Sequence, residues 1–140
     1  MKVEGTLKDV GLLILRLGIG SAYIIHGFPK FVGGEAVWEQ LGRSMEIFSI
    51  NFWYSFWGFL AASSELFGGM FLILGIFIRP FCALLAGTMF VAACYHLNNG
   101  EGFLGASHAF ELAIVFVSLI FLGPGSFSSV LVKKEEPEKE

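Results

Sequence analysis

The chain has 140 residues, of which 55% are hydrophobic and only 15% charged, and its mean hydropathy is +0.71. A soluble domain carries roughly 25% charged residues and could not bury so much apolar surface, while a disordered chain would be far less apolar. The net charge of −3 gives no basic excess for nucleic acid and two cysteines make no disulfide scaffold, so the composition indicates an integral membrane protein.

Four long apolar stretches predict an all-α, four-helix transmembrane bundle. A bilayer core of about 30 Å needs roughly 20 residues of helix, and an unbroken apolar chain satisfies its backbone there as helices. We place the spans at about 9–28, 52–78, 81–99 and 106–123, within a single membrane domain of residues 1–132. The charged tail at 133–140 is expected to be disordered.

The first span follows two lysines, contains Arg16 and ends near His26. Such a start resembles a signal peptide, but a charge inside the apolar run and the lack of a clean cleavage site favour a mature helix. His26 and Lys30 are four residues apart and would share a helix face, although Pro29 between them is expected to break the helix.

The 29–51 connection is the only long one, and the second span follows it. Glu65 falls near the middle of this span, and Gly58-x-x-x-Ala62 has the small-residue spacing that lets helices approach closely. Arg79-Pro80 marks a tight turn into the third span. Aromatic residues near the start of the second span predict an interfacial belt, namely Trp38, Phe52, Trp53, Tyr54, Phe56 and Trp57.

The last two spans contribute the cysteines and two histidines. Cys82 and Cys94 lie about 18 Å apart along one helix, too far for a disulfide, and no CxxC motif exists. His96, before Asn-Asn-Gly, is either a site residue or part of a helix C-terminus. In the fourth span His108 and Glu111 lie three apart on one face, a pairing suited to proton transfer.

The distribution of Lys and Arg predicts the orientation. Six fall at the N-terminus, at Arg79 and in the tail, against two in the outer connections, which places both termini in the cytoplasm. With these helix directions, five ionisable residues share a level near the outer face and Arg16 and Glu65 lie deeper. We therefore predict one pocket beneath the outer surface, formed by His26, Lys30, His96, His108 and Glu111.

Structural explanations compete with this pocket. Arg16 and Glu65 would form a buried ion pair that joins the first two spans, as such pairs mostly do. The three histidines could ligate a metal, but no paired-ligand motif is present, so we predict no metal site.

The order of these motifs resembles the DoxX family over about residues 7–128. One departure is Ser129, which stands where the family often has an acidic residue after Gly-Pro-Gly-x-x-Ser. The matching segments are Gly11-Leu-Leu-Ile-Leu-Arg16-Leu-Gly-Ile-Gly20, His26-Gly27-Phe-Pro-Lys30, Glu65-Leu-Phe-Gly-Gly69 with Leu74-Gly75 and Arg79-Pro80, and His108 with Glu111 before Gly123-Pro-Gly-Ser126.

The resemblance implies a multi-pass protein of the bacterial inner membrane, in a family named after a subunit associated with thiosulfate:quinone oxidoreductase. We expect the membrane subunit of a quinone- or thiol-linked oxidoreductase system. The family-typical positions are Arg16, His26, Gly27, Lys30, Glu65, Gly69 and Glu111. The expected catalytic residues are His108, Glu111, His26 and Glu65, and the expected substrate-binding residues are Arg16, Lys30 and His96.

The sequence carries no cofactor motif, since CxxCH, a cysteine cluster and a dinucleotide fingerprint are all absent. Any redox centre would be a ligand, with a quinone as the candidate, or would belong to a soluble redox enzyme as partner. Two alternatives stay open. One is a non-catalytic membrane anchor for such an enzyme, and the other is a small-solute transporter, which with four spans would need a homodimer.

Overall fold

The computed structural model describes residues 2–128, with side chains from residue 6 onward. Four helices are long and apolar enough to cross a membrane, which confirms the predicted all-α bundle with four spans. The predicted tail at 133–140 lies outside the described residues. The elements are α1 (Lys2–Val32), α2 (Gly34–Gly42), a 3₁₀ helix (Arg43–Phe48), α3 (Tyr54–Leu74), α4 (Ile78–Asn98) and α5 (Gly102–Leu122).

The spanning helices pack in the order α1, α3, α4, α5. Side chains link the two outer members, because the rings of Tyr23 on α1 and Phe116 on α5 meet edge to face at 5.0 Å. Phe116, Leu72, Leu85 and Leu119 are fully buried in the core. Lipid is as apolar as these side chains, so close packing rather than exclusion of water stabilises the bundle.

Glycines bring the backbones of α1 and α3 into contact. A Cβ at Gly20 would lie 2.7 Å from the carbonyl oxygen of Gly69, and a Cβ at Gly27 would lie 2.5 Å from the amide nitrogen of Leu66. No side chain fits in either place. The predicted close approach at Gly58 also occurs, but its neighbour is the backbone of Trp38 on α2.

The break in the first helix lies beyond the predicted one. α1 continues through Pro29 to Val32, and the chain turns at Gly34, whose φ is +76°. A proline costs the helix one hydrogen bond, a loss that neighbouring groups in a bundle can compensate. α2 then continues along α3, because Gly42 lies against the backbone of Tyr54.

The start of α1 and the segment after α5 lie at the same end of the bundle. Ser126 donates a hydrogen bond from its hydroxyl to the Asp9 carboxylate, and Gly125 lies beside Leu12. We call this the Asp9 end and the opposite one, which holds α2 and the 3₁₀ helix, the α2 end. The cytoplasmic location of the Asp9 end stays a prediction.

Candidate functional site

An ion pair between Lys30 and Glu65 lies inside the bundle. The Lys30 Nζ contacts Glu65 Oε1 at 2.8 Å and Oε2 at 2.7 Å. The Glu65 side chain is only 5% exposed, whereas the Lys30 side chain is 35% exposed. Glu65 projects from the middle of α3, so its charge needs this partner in an apolar environment. The long lysine stem, rooted in the last turn of α1, brings the ammonium to it.

The expected ion pair between Arg16 and Glu65 is wrong. Arg16 is 1% exposed and donates instead to backbone carbonyls, from Nε to Leu72 at 2.9 Å and from Nη2 to Ile73 at 3.1 Å. Its Nη1 donates to Pro124 at 2.5 Å and to Phe127 at 3.2 Å. The last carbonyls of a helix lack partners within it, so the end of α3 competes successfully for the guanidinium.

Gly75 makes room for this arginine. Its φ is +73°, a left-handed conformation that ends α3, and a Cβ there would lie 2.2 Å from Arg16 Nη2. Arg16 is thus a clamp between α1, the end of α3 and the segment after α5. Four of its five N–H groups are already engaged, which leaves little for the substrate that the sequence assigned to it.

A cavity of about 630 Å³ lies between α2, the 3₁₀ helix, α3 and α4. Lys30 and Glu65 line it, and so do Ser64 and Thr88, whose hydroxyl oxygens are 2.9 Å apart. Small-molecule sites have this size and this mixture of apolar wall and few polar groups. The apolar wall includes Val37, Leu41, Met45, Leu60, Leu84 and Met89.

His96 lines the cavity from the last turn of α4. Its Nδ1 lies 2.8 Å from Glu101 Oε2, and the Glu101 amide donates to the His96 carbonyl at 3.2 Å. Both readings of His96 therefore hold, because it ends a helix and it also faces the cavity. Glu101, its carboxylate partner, was not among the predicted site residues.

The predicted pocket does not assemble as a whole. Lys30 and His96 line the cavity together with the deeper Glu65, but His26, His108 and Glu111 are exposed and do not line it. Within the described part of the chain these three side chains have no hydrogen bond or ion pair. Helix direction fixes the height of a residue but not its rotation about the helix axis, which is why the prediction failed for them. Their catalytic roles stay predictions.

Sequence reasoning missed several residues of the cavity. Ser64 and Thr88 are polar side chains inside spans, a signal that we overlooked because neither carries a charge. Trp57 was assigned to the interfacial belt, yet it lines the cavity, and its Nε1 is buried without a hydrogen-bond partner among the described residues. In the same described part, no three His, Cys, Asp or Glu side chains are grouped to hold a metal ion.

Several bacterial membrane proteins resemble this chain. "Inner membrane protein YphA" of Escherichia coli (strain K12) is 26% identical over 135 residues, covering 89% of this chain and 91% of that protein. "Putative oxidoreductase CatD" of Bacillus subtilis (strain 168) is 28% identical over 118 residues, covering 84% and 81%. "Inner membrane protein YqjF" of E. coli is 29% identical over 125 residues, covering 87% and 91%. No solved structure matches.

The DoxX family model matches residues 11–98, a stretch that includes Arg16, the Lys30–Glu65 pair and every residue lining the cavity. Together with the four spans and the inner-membrane relatives, this match identifies the chain as a member of the DoxX family and a multi-pass protein of the bacterial inner membrane.

Proposed function

We propose that this protein is the membrane subunit of an oxidoreductase system and that it binds a quinone in the cavity between α2, α3 and α4. The observation that carries the proposal is the Lys30–Glu65 ion pair on the wall of an otherwise apolar cavity inside the bundle. A charged pair in a span is costly, and such residues usually mark a pathway or a ligand site.

The wall of the cavity suits an apolar ring with polar edges. Leucine, valine and methionine side chains provide most of the lining, and Trp57 and Tyr95 add aromatic surface. A volume of about 630 Å³ lies within the range of ordinary ligand sites. The isoprenoid tail of a quinone would extend from the cavity into lipid, whereas a strongly hydrated solute would lose its water on entering.

The unused hydrogen-bond donors suit a ligand whose polar atoms are acceptors. Lys30 has three N–H groups, and its contacts with the two Glu65 oxygens require only two of them. The Trp57 indole N–H is buried without a partner in residues 2–128, and a ligand carbonyl would remove that cost. A bound quinone would supply two-electron chemistry coupled to two protons.

The protein's own groups then have defined tasks. Lys30 would hold the ligand carbonyl and keep Glu65 oriented, and Glu65 would hold or release a proton at its carboxylate. His96, paired with the half-exposed Glu101, would exchange protons between the cavity and water at the α2 end. Each of these steps uses groups that lie on the cavity or in direct contact with it.

A quinone fits better than thiol exchange. Neither cysteine lines the cavity, and Cys82 is fully buried between α4 and its neighbours. The name of CatD, which is an oxidoreductase by its title, supports a redox role without naming a substrate.

Photoaffinity labelling tests the proposal. The protein in nanodiscs is illuminated with an azidoquinone, and the labelled peptides are located by mass spectrometry. We expect saturable labelling within residues 37–45, 57–65 or 83–96, and its loss in the double variant K30M/E65L. Lys8→Met removes a charge from the other end of α1 and should leave the labelling unchanged. Labelling confined to α5, or equal in the double variant, would overturn the proposal and favour a non-catalytic anchor.

A further inference from the structure

The most unusual feature outside the cavity is a pair of polar residues on the outer face of α5. His108 and Glu111 are exposed, and neither has a hydrogen bond or ion pair in the part of the chain that the structure describes. Glu111 lies near the middle of the 21-residue helix, at the depth where a bare carboxylate is most costly in lipid. These two residues need a partner that the single chain does not supply.

The exposed residues of α5 form one continuous seam. Leu104, His108, Glu111, Val115, Ser118 and Leu122 follow one another at steps of four, three, four, three and four residues. This alternation is the heptad pattern by which two helices pack side by side along their length. The opposite face, with Ala106, Ala109, Phe116 and Leu119, is already buried in the bundle. All the seam residues are exposed or half-buried, and Leu104 is 88% exposed.

We infer that α5 forms a parallel homodimer through this seam, with Glu111 of each copy facing His108 of the other. Two copies inserted in the same direction are related by a twofold axis along the membrane normal, so their α5 helices run parallel. Side chains on a helix lean towards its N-terminus, which brings the Glu111 carboxylate towards the level of His108 one turn earlier. Each chain then contributes one imidazole and one carboxylate to two identical contacts.

A second copy fits this surface better than an unrelated partner. The seam carries both halves of a polar contact at a spacing of three residues, so it is complementary to itself. The dimer would also bury the polar atoms that the lipid cannot solvate, and hydrogen bonds between helices stabilise associations in membranes. The cavity lies on α2, α3 and α4 and is separate from this seam, so the inference does not depend on the proposed quinone site.

Cysteine cross-linking in native membranes tests the inference. In a C94A background, Ser118→Cys places a thiol on the seam, while Val117→Cys places one beside it at the same depth, with 45% exposure in the single chain. We expect oxidation to convert most of the S118C protein to a disulfide-linked dimer and to leave V117C largely monomeric. Equal cross-linking at the two positions, or products that contain a different protein, would overturn the inference.

Exchange of the two polar residues tests the reciprocal contact. His108→Glu alone would place four carboxylates around the axis, and we expect it to reduce S118C cross-linking by about tenfold. Adding Glu111→His restores one imidazole and one carboxylate per chain and should restore most of the cross-linking. A single variant as cross-linked as its parent, or a double variant no better than the single one, would contradict the contact. Azidoquinone labelling of the cavity reports whether each variant is folded.

Discussion

The two buried cations of this protein have different tasks that their positions in the sequence do not reveal. Arg16 and Lys30 lie on the same helix, and both were expected to bind substrate. Arg16 is used up by carbonyls at the end of α3 and after α5, whereas Lys30 meets a single carboxylate on the wall of a cavity. Arginine offers five donors in a fixed fork, which suits several carbonyls, and lysine offers a mobile point charge.

The Lys30–Glu65 pair should show the asymmetry of a buried ion pair. Lys30→Met leaves Glu65 without a counterion and should lower the free energy of unfolding by about 3–5 kcal/mol, whereas K30M/E65L should recover most of that loss. Reversible unfolding in SDS-containing micelles measures both. Arg43→Met breaks an exposed contact with Glu39 and should have little effect. A double variant as unstable as K30M would show that the pair itself stabilises the fold.

Replacing Arg16 should damage the fold rather than binding. Arg16→Met would leave the carbonyls of Leu72 and Ile73 without their donor, at a cost of about 1–3 kcal/mol for each buried group. The midpoint of thermal unfolding in detergent should therefore fall, while azidoquinone labelling below that midpoint should be retained. Arg79→Met, an exposed charge in the first turn of α4, is the control. Loss of labelling in a folded Arg16 variant would contradict the structural role.

At the level of the helices, the sequence was most informative about span number and least informative about rotation. Hydropathy predicted four spans because burial in lipid depends on the composition of a whole segment. Which residues meet depends on rotation about each helix axis, and this follows from glycine contacts between particular pairs of helices. Gly69 appeared in the sequence only as a family-typical position, yet it places α3 directly against Gly20. This packing directs Glu65 towards Lys30 while Glu111 faces outward.

The contact between α1 and α3 should not tolerate a side chain. Gly20→Leu or Gly69→Leu would force the backbones apart, because even a Cβ would lie 2.7 or 2.6 Å from a carbonyl oxygen. We expect a loss of stability of at least about 1–3 kcal/mol, seen as a lower unfolding midpoint. Gly18→Leu is the matched control, since a Cβ there has nothing within 4 Å. Equal midpoints for Gly18→Leu and Gly20→Leu would contradict this packing.

At the scale of the whole molecule, the bundle has two functional surfaces on opposite sides of α4. The cavity is walled by α2, α3 and α4, and the polar seam lies on α5. The family match ends at residue 98 and so includes the cavity but not the seam. Summing residues by height could predict that ionisable groups are present in the spans. It could not divide them between these surfaces, because His26, His108 and Glu111 differ from Lys30 and His96 in direction rather than in depth.

The central claim is that the Lys30–Glu65 cavity holds a quinone, and the most direct measurement is the quinone that the protein retains on gentle purification. Lipid extraction followed by mass spectrometry gives moles of quinone per mole of protein for the unaltered chain and for K30M/E65L. The account predicts close to one quinone per chain for the unaltered protein and a large loss in the double variant at an unchanged unfolding midpoint. Equal quinone content in two equally folded proteins would contradict it.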